Sequence, residues 1–367
     1  ISFAYTSFKW QNNAAHNAGV TVIIVGLKSL QAKFDKTIFT GNDKISARNI
    51  NPYLANAENI IVNPLNYPLN SSFGKMSFGN MPRDDGGLIL DLEEYRKIVN
   101  NYPQAERIFK RYIGSSEFIN SEYRYCIWLD DETLDFFKDY DFLKNRLVRV
   151  RNFRLQSKAQ STAQYAQYPH LFVQRGDRDE AFKKFKSNPQ KQNEEMISII
   201  VPSVSSENRI YVPMGLVYEN DIVSNAAMVI YDAPIWLLGI LSSRMHMVWL
   251  RAIGGKLETR YRYSASLVYN TFVVPEISEQ MKENLEEQMG EILDKRDFLG
   301  GSLASLYGSP LAENNPKPMN EELLNLHKRL DRLVDSIYQR AEFKNDEERL
   351  ALLLNLYKKR IEELENE

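Results

Sequence analysis

The residues best equipped to bind something lie between Arg251 and Tyr269, where Arg251, Lys256, Arg260 and Arg262 surround a Gly254-Gly255 break among Tyr261, Tyr263 and Tyr269. Arginine forks hold phosphate oxygens or a guanine edge, and tyrosine adds a stacking face or a hydroxyl donor. A second basic stretch, residues 144–158, has six cations and no acid. Arg146, Arg149, Arg151, Arg154 and Lys158 of that stretch, with Arg251, Lys256, Arg260, Arg262 and Tyr263, are candidate contacts to a DNA backbone. Ser205, Ser206, Glu207, Asn208 and Arg209 offer the donors, acceptors and guanidinium fork that read base edges. Phe8 and Trp10 are candidate stacking walls for an extruded base, which needs an aromatic face at a strand end. Each set also has a plainer reading, as solvated faces, a surface turn or core aromatics.

Catalytic chemistry is harder to find. His246 lies between two methionines with no carboxylate nearby, so a structural or phosphate-contacting role is expected. Asp84 and Asp85 are paired, but no His or further carboxylate is spaced to complete a metal site, and turn chemistry is the better reading. There is no Walker-type glycine loop and no Ser/His/Asp arrangement. The chain as given is therefore expected to be catalytically inert, with no cofactor or metal of its own.

Length and charge set the frame. The 367 residues allow two or three domains, and 43% hydrophobic with 26% charged residues is an ordinary globular balance. Cys126 is the single cysteine, which excludes intrachain disulfides and fits a reducing cytoplasm. No apolar run approaches the roughly 20 residues needed to span a bilayer. The opening ISFAYTSFKW has no initiating Met and no signal-peptide core, which suggests that an N-terminal part is missing. Residues 144–262 hold 18 Lys/Arg against 10 Asp/Glu, whereas residues 276–367 hold 13 against 21. A basic middle beside an acidic tail suggests one surface that meets a polyanion and another repelled by it.

The elements follow from periodicity. Residues 20–27 read as a strand buried on both faces. Helical spacing runs from Asp91 to Phe118, and Arg124–Leu129 reads as a strand. For residues 144–158 neither period separates the faces; as a helix, Arg154 falls among Leu147 and Val150. Residues 159–195 read as a loop. Strands over 197–204 and 210–217 make a hairpin with 205–209 at its tip, and 226–232 is a further strand. Pro234 opens one apolar helix with Trp236, Ile240, Ser243, Met247 and Leu250 on a face. Beyond Pro275 the chain is helical, with stripes at Leu323, His327, Leu330, Val334 and Ile337, then Leu350, Leu353, Tyr357, Ile361 and Leu364. The fold class is α+β: the end of an α/β domain over 1–75, a mixed α/β unit over 76–275 and a helical unit over 276–367.

Three strings resemble a known family. FKWQNNAxxNAGVTVIIVG at 8–26, GNMPRDDGG at 79–87 and YDAPxWLxGIxxSRMHMxWxRAxxGxLxTRYRYSAxxVYNTFxxP at 231–275 resemble gamma-class adenine-N6 DNA methyltransferases, closest to the single-chain MmeI-like (type IIL) restriction-modification enzymes. The segment PxVSSExRxYxPxG resembles the region where that family varies its DNA specificity. The resemblance implies double-stranded DNA as partner and an upstream methyltransferase domain that binds S-adenosylmethionine, with Mg2+ if a nuclease domain is present. It also implies a prokaryotic cytoplasmic setting, associated with the nucleoid through DNA. Phe8 matches the aromatic residue that packs on the flipped adenine, with Trp10 second. Asn51-Pro52-Tyr53-Leu54 lacks the second Pro of the family's Asn-Pro-Pro-aromatic motif and lies after the aromatic strand, so it reads as a turn into a short helix. Glu342-Phe343-Lys344 matches a nuclease string but sits in the helical tail. Asp85 replaces a glycine of the family's turn. The rival reading is a protein-interaction module whose basic surface binds an acidic protein partner.

Overall fold

The computed structural model describes residues 1–10, 21–29, 35–41, 43–175 and 177–366, which form the expected α+β architecture with four small sheets. The first holds β1 (Phe3–Lys9), β2 (Thr21–Gly26), β3 (Lys36–Thr40) and β4 (Asp43–Ala47) in the order β2-β1-β3-β4. The apolar run expected to be buried on both faces is instead the edge strand β2, with Ile23 53% and Leu27 79% exposed. Among the described residues only β1 pairs with it. Residues 11–20, part of the first family-like string, lie outside the described residues. Asn51 opens a turn without a helix: its Oδ1 accepts from the amides of Tyr53 and Ala55, each at 3.0 Å.

The middle of the chain begins with β5 (Met76–Phe78), β6 (Ile89–Asp91), α1 (Leu92–Asn101), β7 (Phe109–Ile113), α2 (Ser115–Asn120) and β8 (Arg124–Ile127). The helical reading of 91–118 is corrected here. Pro103, which lacks an N–H, follows the end of α1, and Phe109 and Tyr112 then bury themselves on β7. Next come α3 (Asp131–Phe137), α4 (Asp141–Leu155), α5 (Gln160–Ala163) and α6 (Arg178–Ser187). Residues 159–195 are thus partly helical rather than loop, and they bury Phe172 and Phe185. The Asp84–Gly87 turn seats on α4: Asp84 accepts from the Leu88 amide at 2.6 Å, and a Cβ on Gly87 would stand 2.5 Å from Val150. Asp85 takes a left-handed φ of +51°, a region that favours glycine and that aspartate tolerates.

The third part contains β9 (Ser198–Pro202), β10 (Val204–Ser205), β11 (Gly215–Val217), β12 (Asp221–Val223) and β13 (Ala227–Ile230). They build the sheets β11-β9-β13-β5 and β12-β7-β8-β6. The expected single helix after Pro234 is two, α7 (Ile235–Leu241) and α8 (Arg244–Ile253). The break is made by Ser243, whose Oγ donates to the Ile240 carbonyl at 2.7 Å and accepts from the His246 amide at 3.3 Å. A short hairpin, β14 (Gly255–Leu257) and β15 (Arg260–Arg262), follows. The chain ends in α9 (Glu279–Leu299), α10 (Leu303–Tyr307), α11 (Glu321–Tyr338) and α12 (Asp346–Asn366).

One hydrophobic core runs from Ala55 through Trp249 on α8 to Leu330 on α11 and Tyr357 on α12. Full burial of side chains such as Leu238, Leu330 and Leu354 contributes about 1.5–3 kcal/mol each, so the tail helices are welded to the middle of the chain. A separate core under β6, β7, β8 and α4 holds Leu88, Ile108, Phe137 and Val150. No helix among the described residues is long and apolar enough to cross a membrane, and no three or more of their His, Cys, Asp or Glu side chains could hold a metal ion.

Candidate nucleic-acid interface

Pairing, rather than a hairpin tip, places the candidate reading residues. Residues 205–209 were expected between two long paired strands, but β9 and β11 pair only through Ser198–Ile200 and Gly215–Val217. The chain leaves β9, and β10 pairs with β15 instead, setting Val204 opposite Arg262 and Ser205 opposite Tyr261. On the other edge of β15, Lys256 faces Tyr261 and Gly255 faces Arg262. The loop after Ser205 and the basic hairpin, some fifty residues away, therefore share one three-stranded sheet. Alternation along the strands puts Ser205, Lys256 and Tyr261 on one face and Arg260 and Arg262 on the other.

An open cleft of about 620 Å³ lies beside this sheet, lined by Phe8, Thr40, Glu207, Asn208, Lys256 and Tyr261. Phe8 reaches it from β1 and is 38% exposed, which leaves a ring face available. Trp10 is 47% exposed but does not line the cleft. Lys256 holds its ammonium 4.9 Å from the Tyr261 ring centroid. Burial lowers that ammonium's pKa, Glu207 opposes the shift and Arg251 reinforces it. The far wall is Leu311–Asn314, between α10 and α11, and the Leu311 amide donates to the Asn208 carbonyl at 2.9 Å. Sequence reading missed this wall, because a short polar connection has no pattern that signals a site, and Thr40, because its place at the end of β3 beside the cleft is set by tertiary packing.

Several candidate contacts turn inward. Arg154 is fully buried, and its guanidinium donates to the carbonyls of Pro82, Arg83, Tyr165, Tyr168 and Leu171 at 2.7–3.1 Å, so it staples loops and does not meet a phosphate. Arg146 donates to Gly87 and Ile89 carbonyls and pairs with Glu94 at 2.8 Å, a structural role. Tyr263 is buried and its hydroxyl shares a 2.8 Å hydrogen bond with His246 Nε2, which removes it from the surface and makes His246 a core residue. Ser205 is also buried beneath the sheet, with no partner for its hydroxyl among the described residues.

The remaining candidates stay reachable. Glu207 and Asn208 open on the cleft, Ser206 accepts from the Asn208 amide at 3.2 Å, and Arg209 is half-buried beside them. Burial lowers the Arg209 pKa, and its Nε has no partner among the described residues. Arg251 lines the cleft while donating to the Ile210 carbonyl at 3.0 Å. Arg262 is exposed, Lys256 keeps solvent contact although its ammonium is partly desolvated against Tyr261 in the cleft, and Arg260 pairs with Glu258 at 2.8 Å. On α4, Arg151 and Lys158's neighbourhood beyond it are exposed and Arg149 pairs with Asp85 at 3.0 Å, but this helix rests on the second core and none of its cations lines the cleft.

Comparison with known proteins gives three family matches: the MmeI target recognition domain over residues 56–276, the MmeI C-terminal domain over 277–365 and the MmeI DNA-methyltransferase domain over 1–40. DNA methyltransferase A of Bacillus subtilis (strain 168) is 45% identical over 362 residues, 99% of this chain and 38% of that protein. The solved structure of the Type IIL restriction-modification enzyme MmeI in complex with DNA superposes with a TM-score of 0.81 at 35% identity, covering 98% of this chain and 46% of that one. The chain thus spans less than half the length of either.

Proposed function

We propose, for a chain that belongs to the family of the MmeI target recognition domain, that it recognises a specific double-stranded DNA sequence on behalf of an adenine-N6 methyltransferase. The observation that carries this reading is the cleft that brings Phe8 together with Glu207, Asn208 and Lys256. In it, Glu207 and Asn208, with the half-buried Ser206 and Arg209 beside them, read bases in the major groove, and Phe8 packs against the extruded adenine. Lys256, Arg260 and Arg262 hold the backbone near the reading loop, and Arg149, Arg151 and Lys158 hold it further along the duplex.

S-adenosylmethionine is the methyl donor that this reading implies. The residues present do not fit it: among the described residues no glycine-containing strand-turn-helix precedes an Asn-Pro-Pro-aromatic motif, and Asn51 spends its Oδ1 on its own turn. The proposal therefore assigns cofactor binding and any Mg2+-dependent cleavage to segments outside this chain, in a cytoplasmic enzyme. Selection of random duplexes on the chain at moderate salt, followed by sequencing, tests recognition. Enrichment of one short adenine-containing motif supports it. Salt-independent or absent binding overturns it in favour of an acidic protein partner.

A further inference from the structure

We propose that Asp331 is a positioning residue for base reading, because its one carboxylate ties the exit of the reading loop to the start of the helix that carries the basic hairpin. Asp331 lies on α11, far from the cleft in sequence, and is 7% exposed. Its Oδ2 accepts from the Tyr211 hydroxyl at 2.6 Å, and its Oδ1 accepts from the Arg244 amide at 2.6 Å. Tyr211 follows Arg209 by two residues and is itself 2% exposed, with its ring stacked 4.3 Å from His327. Arg244 is the first residue of α8, which runs directly into β14 and β15.

The reading loop needs such an anchor. After Ser205 no strand begins until Gly215, so most of 206–214 has no ladder to hold it. What holds it comes from elsewhere: the Leu311 amide on Asn208, Arg251 on the Ile210 carbonyl, and Arg296 of α9 on the Met214 carbonyl at 2.6 Å. Asp331 alone among these reaches both the loop and the N-terminus of α8. Two charge-assisted hydrogen bonds and the positive end of a helix offset part of the cost of burying its charge. In a site where about 1 Å of misplacement spoils a base contact, a shared anchor keeps the two halves of the reader in register.

This inference rests on the DNA-recognition reading above. The test compares Tyr211→Phe, Asp331→Leu and the double variant with Tyr338→Phe, a control on the same helix whose hydroxyl donates to the Val273 carbonyl at 3.0 Å. Affinity is measured for the selected duplex and a scrambled one, and amide exchange is measured over 206–214 in the free chain. We expect each of the two single variants to lower the selected-to-scrambled ratio about tenfold, and the double variant to be no worse than the worse single, because one linkage is lost in all three. Exchange over 206–214 should quicken, while the salt slope on scrambled DNA and all properties of Tyr338→Phe stay at wild-type values. Unchanged ratios in Tyr211→Phe and Asp331→Leu, or an equal loss in the control, overturn the positioning role while leaving recognition standing. A wild-type chain without sequence preference overturns both.

Discussion

Arg154 offers the sharpest test of the division between structural and DNA-facing arginines. Replacing it with Met keeps the length and removes all five hydrogen bonds to the carbonyls of Pro82, Arg83, Tyr165, Tyr168 and Leu171. At about 0.5–1.5 kcal/mol net for each bond, the loss is about 3–7 kcal/mol, a large share of the roughly 5–15 kcal/mol that stabilises a typical domain. Arg154→Lys retains a charge but supplies three donors, so at least two carbonyls stay unmet and the loss is about 2 kcal/mol or more. Denaturant midpoints at constant slope measure both variants. The folded Arg154→Lys protein should bind DNA as wild type does, whereas Arg151→Ala, at an exposed position three residues earlier on the same helix, should leave stability alone and flatten the salt dependence by about 0.9 in log–log slope. Stability within about 1 kcal/mol of wild type for Arg154→Met, or a reduced salt slope in a fully folded Arg154→Lys, would refute the staple.

Other outcomes follow from the same geometry. Arg260→Ala should weaken binding to every duplex alike, measured as an equal loss on selected and scrambled DNA; a change of preferred sequence would place Arg260 at a base. Glu207→Ala or Arg209→Ala should instead alter which motif is enriched on selection, with each lost base contact worth about 1–3 kcal/mol of discrimination. Burial holds His246 and His327 near pKa 3, below the ordinary value of about 6.5, so both stay neutral in the fold and gain protons on unfolding. Stability should therefore fall as pH drops below about 6.5, by about 2 kcal/mol per histidine at pH 5. Asp331 opposes this: burial raises it to about 6, so the fold takes up its proton first and recovers about 1 kcal/mol at that pH. The difference in unfolding free energy between pH 8 and pH 5 should shrink by about 2 kcal/mol in His246→Phe, and an undiminished difference would exclude the buried imidazole as its cause.

The sequence determined what depends on near neighbours. The tail stripes were legible because Leu323, His327, Leu330 and Val334 recur at helical spacing, and all four are buried on α11. Arg154 also left a trace: on a helix it falls with Leu147 and Val150, and a cation on an apolar face is a sign of inward hydrogen bonding rather than of a ligand. The Asp84–Gly87 turn was readable from its residue types, since asparagine, aspartate and glycine carry turn geometry locally. The exposure of β2 was not, because a β-branched run looks the same whether its covering elements are in the same chain or elsewhere. Nor were the helices within 159–195, whose Gln- and Lys-rich sequence has helix-forming residues without a continuous apolar stripe.

Only the tertiary structure decided the site. Whether β10 pairs with its sequence neighbour β11 or with the distant β15 depends on which long-range contacts bury more surface, and no local pattern records that choice. The same holds for the cleft, where Phe8, Glu207, Lys256 and Leu311 meet from four separate parts of the chain. Side-chain chemistry at each position is fixed by the residue, but which faces meet is set by long-range packing, in the core that runs from Ala55 to Tyr357 and in the small core of the first sheet around Ala4 and Ile38.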